Sequence, residues 1–337
     1  MRAMRIHQLG DLENMRIDEL PEPEPGAGEV VIRIHATSLN YRDLMMIKGQ
    51  YNPKIALPFV PLSDGAGEVE AIGSGVSRWK VGDRVAAAFM PGWRDGGPSE
   101  VKASSALGAG EVGLLAERVV IAAEGIVAIP DHLTFEEAAT LPCAAVTAWH
   151  ALVTEGQVKA GDTVLVQGTG GVSLFALLFA QIHGARVIAT SGSDEKLERV
   201  LSLGASDGIN YKTMPDWDKC VRALTGGAGV DHVVEVGGAG TLTRSLRAVK
   251  TGGRVSLIGV LSGGAAEVTV LPILMWNLRV QGIFVGSVAM FEAINRAITL
   301  HRLRPVVDRV FPWEKAAEAY RHMESGAHFG KIVIRIV

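Results

Sequence analysis

Thr163-Val-Leu-Val-Gln-Gly-Thr-Gly-Gly-Val-Ser173 is an apolar strand running into a glycine-rich turn that opens a helix. Gly168 permits the sharp turn, and Gly170 lets backbone approach a diphosphate with no Cβ in the way. The helix start adds unpaired N–H groups and the positive end of a dipole. Val164–Gln167 reads as a buried parallel strand, Val172–His183 as an apolar helix stopped by Gly184, and Arg186–Thr190 as the next strand. Together they make a complete βαβ unit of about 30 residues. Ser173 replaces the third glycine of the dinucleotide fingerprint, so it is the strand–turn–helix context that separates this turn from an ordinary glycine loop.

Outward from this unit, strand and helix keep alternating. Gly208–Asn210, Asp231–Val236, Arg254–Gly259 and Val280–Val285 read as further strands. Helices are expected near Asp194–Leu203, Asp216–Leu224 and Thr241–Val249. Six short strands with helices between them describe an α/β fold with a doubly wound parallel sheet. Thr134 and Glu137 form a capping box ahead of one long apolar helix, Ala138–Leu152. From Met1 to Val127 the pattern is strand and turn, as in Glu29–His35, Gly67–Gly73 and the turn Val81–Val85, which suggests a mostly β domain. Pro91–Gly110 reads as a surface excursion from it. Amphipathic helices at Met290–His301 and Trp313–Ser325 and a strand Lys331–Val337 form a tail too short to fold alone. The expected division is therefore 1–127 with 288–337 as one domain and 128–287 as a dinucleotide-binding domain.

Composition excludes several classes. Of 337 residues, 48% are apolar and 20% charged, as in ordinary globular proteins. A net charge of −3 without a basic run gives no reason to expect nucleic acid or an anionic membrane as partner. The two cysteines, Cys143 and Cys220, make neither a disulfide framework nor a four-cysteine zinc site. With no signal-like segment at Met1–Gly10 and no span of membrane length, a cytoplasmic setting is expected.

The chain resembles the medium-chain dehydrogenase/reductase superfamily, in its zinc-free quinone-oxidoreductase-like branch, over essentially its whole length. The markers are Leu39-Asn-Tyr-Arg-Asp43, Leu62-Ser-Asp-Gly-Ala-Gly-Glu-Val-Glu-Ala-Ile-Gly73, Gly82-Asp-Arg-Val85, Ala138-Ala-Thr-Leu-Pro-Cys-Ala-Ala-Val-Thr-Ala-Trp149, Gly168-Thr-Gly-Gly-Val172 and Gly330-Lys331. The resemblance implies a GroES-like β domain for substrate, a Rossmann domain for a nicotinamide dinucleotide, and hydride transfer. It also implies a homodimer through the last Rossmann strand, near Arg279–Val285.

Zinc members of the superfamily hold a catalytic ion with a Cys, a His in Gly-His-Glu, and a second Cys. This chain has Asn-Tyr-Arg-Asp at the first place, Leu62-Ser63-Asp64 at the second, and only Cys143 matching the third. One thiol falls short of three protein ligands, so no metal is expected. Cys143 and His150 share a helix face, though a buried thiol and a satisfied histidine explain them as well. Without a Lewis acid, a conjugated acceptor is the easier substrate, because charge from hydride delivered to the β-carbon spreads onto an oxygen that hydrogen bonds can hold. The expected activity is reduction of a quinone or an α,β-unsaturated carbonyl (enone or enoyl) compound. Its competitors are a zinc-type alcohol dehydrogenase with atypical ligands and a non-catalytic NADPH-binding or sensing protein.

By resemblance, Asn40 stands beside the nicotinamide, and Tyr51 matches by position a proton-donating tyrosine of enoyl thioester reductases. Tyr41 and Arg42 are the nearby alternatives, and a Tyr51 packed at the rim is the competing account. Trp93 and Trp149 are candidate pocket walls, with core packing the stronger account of Trp149. At the end of the second strand, where NAD-specific folds carry an acid, stands Ser191, with Lys196 and Tyr211 matching positions that reach a 2′-phosphate. NADPH is the expected cofactor. Asp194 and Glu195 lie close by but suit the first turn of a helix. The same resemblance adds Thr147, Gly168, Thr169, Gly170, Gly171, Val172, Val236, Gly237, Ile258, Gly259, Phe284, Val285 and Lys331 to the cofactor-binding set.

Overall fold

The computed structural model describes residues 1–110 and 112–337. The chain divides into two compact units, Met1–Val146 with Gly286–Val337, and Thr147–Val285.

The second unit is a six-stranded, all-parallel sheet. Its spatial order is Asp207–Asn210, Arg186–Ser191, Thr163–Gln167, Val230–Glu235, Val249–Leu257, Arg279–Gly282. Numbered by sequence this is 3-2-1-4-5-6, the order of a doubly wound dinucleotide-binding sheet. The apolar run Val164-Leu165-Val166 is fully buried because helices cover both faces of a parallel sheet. The helix Gly171–Ile182 buries Leu174, Phe175, Ala176, Leu177, Phe179 and Ala180, and Gly184 follows it with φ +73°. The fifth strand starts at Val249, earlier than its pattern suggests, after a helix that ends at Ala248.

The first unit carries a seven-stranded sheet; six of its strands run in the order Val307–Pro312, Lys331–Arg335, Glu29–Ser38, Asp64–Ile72, Arg84–Ala87, Ile126–Ala128, and the seventh, Arg118–Ala122, also pairs with Glu29–Ser38. The tail enters this sheet directly: Val333, Ile334 and Arg335 pair antiparallel with Ser38, Thr37 and Ala36. This is the mostly β, GroES-like body, and with the parallel sheet it makes the fold α/β overall.

One expectation fails. Ala138–Leu152 is not a single regular helix. After the capping box of Thr134 and Glu137 (3.2 and 2.9 Å), an α-helix at Phe135–Ala138 gives way to a π-helical turn at Leu141–Ala145. An α-turn at Val146–Trp149 and a second π-turn at His150–Thr154 follow. Pro142 has no N–H to give to a regular ladder, and π-turns widen the helix where it is interrupted. Pro91–Gly110 is also more than a surface excursion, since Trp93 and Leu107 are buried and Val288 N donates to Trp93 O at 2.9 Å.

Candidate functional site

In the second unit, Gly168 adopts φ +70°, its N–H donates to Thr190 O at 2.8 Å, and Gly170 caps the helix that starts at Gly171. A Cβ built on Gly168 or Gly170 meets no atom within 4 Å, so open space faces the helix N-terminus. Thr169 is buried, while Gly171 and Val172 are half-buried. Ser173, the departure from the fingerprint, turns inward and donates from Oγ to Gln167 O at 2.6 Å. It closes the strand–helix junction that a third glycine would otherwise pack.

At the end of the second strand Ser191 is buried, and its Oγ accepts from Ser193 N at 3.3 Å. Tyr211 N donates to Ser191 O at 3.0 Å, and the exposed Tyr211 ring lies over Gly192: a Cβ there would come within 2.8 Å of the phenol oxygen. Lys196 sits in the first turn of the helix Asp194–Ser202, its N–H donating to Ser193 Oγ at 3.3 Å. Asp194 Oδ1 accepts from Asn210 Nδ2 at 2.7 Å, which accounts for that acid without a ligand. Tyr211, just past the third strand, thus adjoins Ser191 and Gly192 at the end of the second, and Lys196 lies in the first turn of the helix that follows them.

The ends of the fourth and fifth strands meet as well. Ile258 N and Gly259 N both donate to Glu235 O (2.8 and 3.3 Å), and Ser262 N donates to Gly237 O at 2.7 Å. This gathers Val236, Gly237, Ile258 and Gly259. Beyond the sixth strand, Phe284 is exposed, and buried Val285 holds φ +54°, costly for a β-branched side chain. Its carbonyl accepts from His150 Nδ1 at 2.7 Å. Thr147 is buried on the α-turn between the two π-turns.

The first unit holds a separate buried polar cluster. Asn40 N donates to Asp43 Oδ2 at 2.8 Å in a capping box at the start of the helix Tyr41–Ile47. Lys331, almost fully buried, donates from Nζ to Leu39 O and to Asn40 Oδ1, the latter at 2.6 Å. Asp64 accepts from Ser63 Oγ at 2.9 Å and from Cys143 N at 3.0 Å. Leu62, just before it, is buried at φ +72°, a second strained residue beside the polar groups. Burial raises Asp43 to about 6, against the pull of the Arg42 guanidinium and the Asn40 N–H. Burial raises Asp64 too, opposed chiefly by the Lys331 ammonium. Arg42 stacks over Phe89 at 4.3 Å, lies 6.0 Å from the Tyr51 ring, and donates to Leu107 O at 2.5 Å. Tyr41 and Tyr51 are exposed, whereas Tyr320 is fully buried beside Asp43, and burial lifts its hydroxyl well above the usual tyrosine range.

These residues do not fit a zinc ion. Cys143 supplies the one thiol among the three positions, and burial, reinforced by the Asp64 carboxylate, pushes it up to about 12. The other two positions offer Asn40 and Ser63, with the Lys331 ammonium already on Asn40 Oδ1. No group of three or more His, Cys, Asp or Glu suited to a metal occurs among the described residues. The dinucleotide fares differently: the open glycine turn and the helix start match a diphosphate. Glu235 and Lys331's buried partnership escaped sequence reasoning. The signal for Glu235 was an acid closing an otherwise apolar parallel strand just before Gly237-Gly238.

Comparison with known proteins agrees with this geometry. Residues 26–131 match the alcohol dehydrogenase GroES-like domain family, and residues 171–300 match the zinc-binding dehydrogenase family. A zinc-type alcohol dehydrogenase-like protein of Schizosaccharomyces pombe is 44% identical, covering 100% of this chain and 99% of its own. Human quinone oxidoreductase is 29% identical over 99% of this chain and 97% of its own. Among solved structures, an NAD-dependent alcohol dehydrogenase superposes with TM-score 0.92 at 38% identity, covering all of both chains. A mycobacterial protein complexed with NADPH superposes with TM-score 0.84 at 29% identity, again over both whole chains. No helix among the described residues is long and apolar enough to cross a membrane. The chain belongs to the medium-chain dehydrogenase/reductase superfamily and is an oxidoreductase of that family.

Proposed function

We propose that this protein is an NADPH-dependent reductase of quinones or α,β-unsaturated carbonyl compounds that works without a metal. The observation that carries the reading is the pairing of an open glycine turn with a buried serine, Ser191, where an NAD-specific sheet carries an acid. Comparison proteins carry both cofactor names, one NAD-dependent and one complexed with NADPH, so the side chains must decide. Ser191, Lys196 and Tyr211 favour a 2′-phosphate: they offer one cation and two hydroxyls, and Asp194 is turned to Asn210.

In this reading Gly168 makes the turn, the N–H groups of Thr169–Val172 hold the diphosphate, and Val236, Gly237, Ile258 and Gly259 line the dinucleotide. Thr147, Phe284 and Val285 face the nicotinamide. When bound, the reduced dinucleotide supplies a hydride to the β-carbon of the acceptor. Asn40 and Tyr41 donate hydrogen bonds that hold the substrate oxygen. Tyr51 gives the proton from its phenol oxygen to the α-carbon, and water reprotonates it. Tyr51 is exposed and available, whereas buried Tyr320 is not. Lys331 steadies Asn40 from beneath.

A homodimer is part of the proposal. The strand Arg279–Gly282 closes the sheet with one edge unpaired, and Val270, Leu271, Leu274 and Met275 stand exposed just before it. Light scattering of purified protein tests this, with a monomer as the contrary result.

The activity test mixes enzyme and NADPH with a panel of enones, enoyl thioesters and quinones, alongside metal analysis. Cofactor oxidation without stoichiometric zinc is expected. Near-stoichiometric zinc lost together with activity would overturn the metal-free reading, and tight NADPH binding without turnover would favour a sensing role. Lys196→Ala should weaken NADPH at least tenfold more than NADH; equal weakening would place Lys196 away from the phosphate.

A further inference from the structure

We infer that Glu235 is a positioning residue that sets both glycine elements of the dinucleotide site with one buried carboxylate. The inference rests on the reading that the second unit binds a nicotinamide dinucleotide.

Glu235 ends the fourth strand and is completely buried. Among the described residues no lysine or arginine is paired with it. A carboxyl group buried without a cation is costly unless its oxygens are satisfied, and here hydrogen-bond donors surround both of them. Oε1 accepts from Gly237 N at 2.8 Å, Gly238 N at 2.9 Å and Thr241 Oγ1 at 2.5 Å. The two successive backbone N–H groups form an anion nest, filled from within the protein. Oε2 accepts from Gln167 Nε2 at 2.8 Å and from Ser245 Oγ.

Gln167 is the last residue before the Gly168 turn. Its Nε2 also donates to Ser245 Oγ at 2.7 Å, and its Oε1 accepts from Val236 N at 3.3 Å, so its amide can face only one way. Its main-chain carbonyl accepts from Ser173 Oγ at 2.6 Å in the first turn of the following helix. A continuous set of hydrogen bonds therefore runs from that helix through Gln167 and Glu235 to Gly237, Gly238 and Thr241. An apolar residue would fill the same volume without fixing either loop. The carboxylate instead makes the diphosphate turn and the 236–241 loop one body.

Glu235→Gln keeps size and removes one acceptor oxygen, leaving one side of the network donor against donor. NADPH fluorescence titration is expected to show affinity reduced about 10- to 100-fold, with kcat at saturating NADPH within about threefold of wild type. The exchange Gln167→Glu with Glu235→Gln restores complementarity once the Ser245 hydroxyl reverses: the amide at 235 donates to the carboxylate at 167 and to Ser245 Oγ, the Ser245 hydroxyl donates to the carboxylate at 167, and the oxygen at 235 still accepts from the loop. The double variant should recover most of the lost affinity. Affinity within twofold of wild type in Glu235→Gln, even with a lowered melting temperature, would overturn the inference and leave Glu235 merely structural. Failure of the exchange to recover affinity would do the same. A wild-type protein that binds neither NADPH nor NADH would instead overturn the dinucleotide reading itself. Should Glu235→Gln not fold, Thr241→Val and Ser245→Ala each remove one donor, and affinity falling with kcat kept separates the accounts in the same way.

Discussion

Asp43→Asn tests the electrostatics of the buried cluster in the first unit. Asp43 is about 1% exposed, and burial raises its carboxyl from an ordinary 3.8 to about 6. The groups facing it are Arg42 and Lys331, which favour the ion, and Asp64, which opposes it; the buried Tyr320 hydroxyl beside it stays protonated. A raised carboxyl means that the native state holds more protons than the unfolded chain between pH 3.8 and about 6. Stability contributed by this site is therefore present below that window and lost as pH rises through it. At about 1.4 kcal/mol per pKa unit, the loss is on the order of 3 kcal/mol. Asparagine keeps an acceptor for Asn40 N–H but turns an amide toward the Arg42 guanidinium, where the Oδ1–Nη2 separation is 3.6 Å. That penalty does not depend on pH. Calorimetry of both proteins from pH 4 to 8 should show the variant gaining on wild type as pH rises, by roughly 6–12 °C in Tm at 2–4 °C per kcal/mol. A flat difference, or a rise centred near pH 4, would refute the assignment.

Two further predictions follow from strain and burial. Val285→Gly relieves a left-handed backbone worth about 1–2 kcal/mol but gives up a buried side chain worth about 1.5–3 kcal/mol and adds chain entropy. A net loss of about 1 kcal/mol is expected in thermal unfolding, and a stabilised variant would show that the side chain does not anchor the turn. Cys143 and Cys220 are both half-buried, but burial of its sulfur pushes the Cys143 thiol up to about 12, so Cys143 should react with iodoacetamide at pH 8 more slowly than Cys220; mass spectrometry of the modified peptides reads the two rates, and comparable rates would refute the shift.

The parallel sheet was legible because each strand is a short apolar run with helix-period sequence between, and the connection rules then leave few orders to choose among. The glycine turn was legible for the same reason, since it is local to one βα junction; Ser191 and Lys196 share the next junction, whereas Tyr211 follows the strand after it. What escaped depends on partners far apart in sequence. Nothing near Glu235 reveals that Gln167 and Ser245 will donate to it, and Lys331 meets Asn40 only after the chain has returned across 291 residues. The π-turns were hidden differently: Ala138–Leu152 has the composition of a plain helix, and only Pro142 marks the interruption. Backbone strain at Leu62 and Val285 has no compositional trace, because neither residue type favours it.

The strand Glu29–Ser38 hydrogen bonds to three others, and one of them, Lys331–Arg335, is made some three hundred residues later. During synthesis at about 5–20 residues per second, that edge waits roughly 15–60 s for its neighbour. The second unit, Thr147–Val285, is by contrast one contiguous stretch, complete before the tail is made. Vectorial synthesis thus favours completing the parallel sheet first, leaving an early-made β edge open to chaperones or mispairing. Lys331 arrives on that same late strand, so the countercharge for Asp64 reaches the nascent chain only as the sheet is sealed.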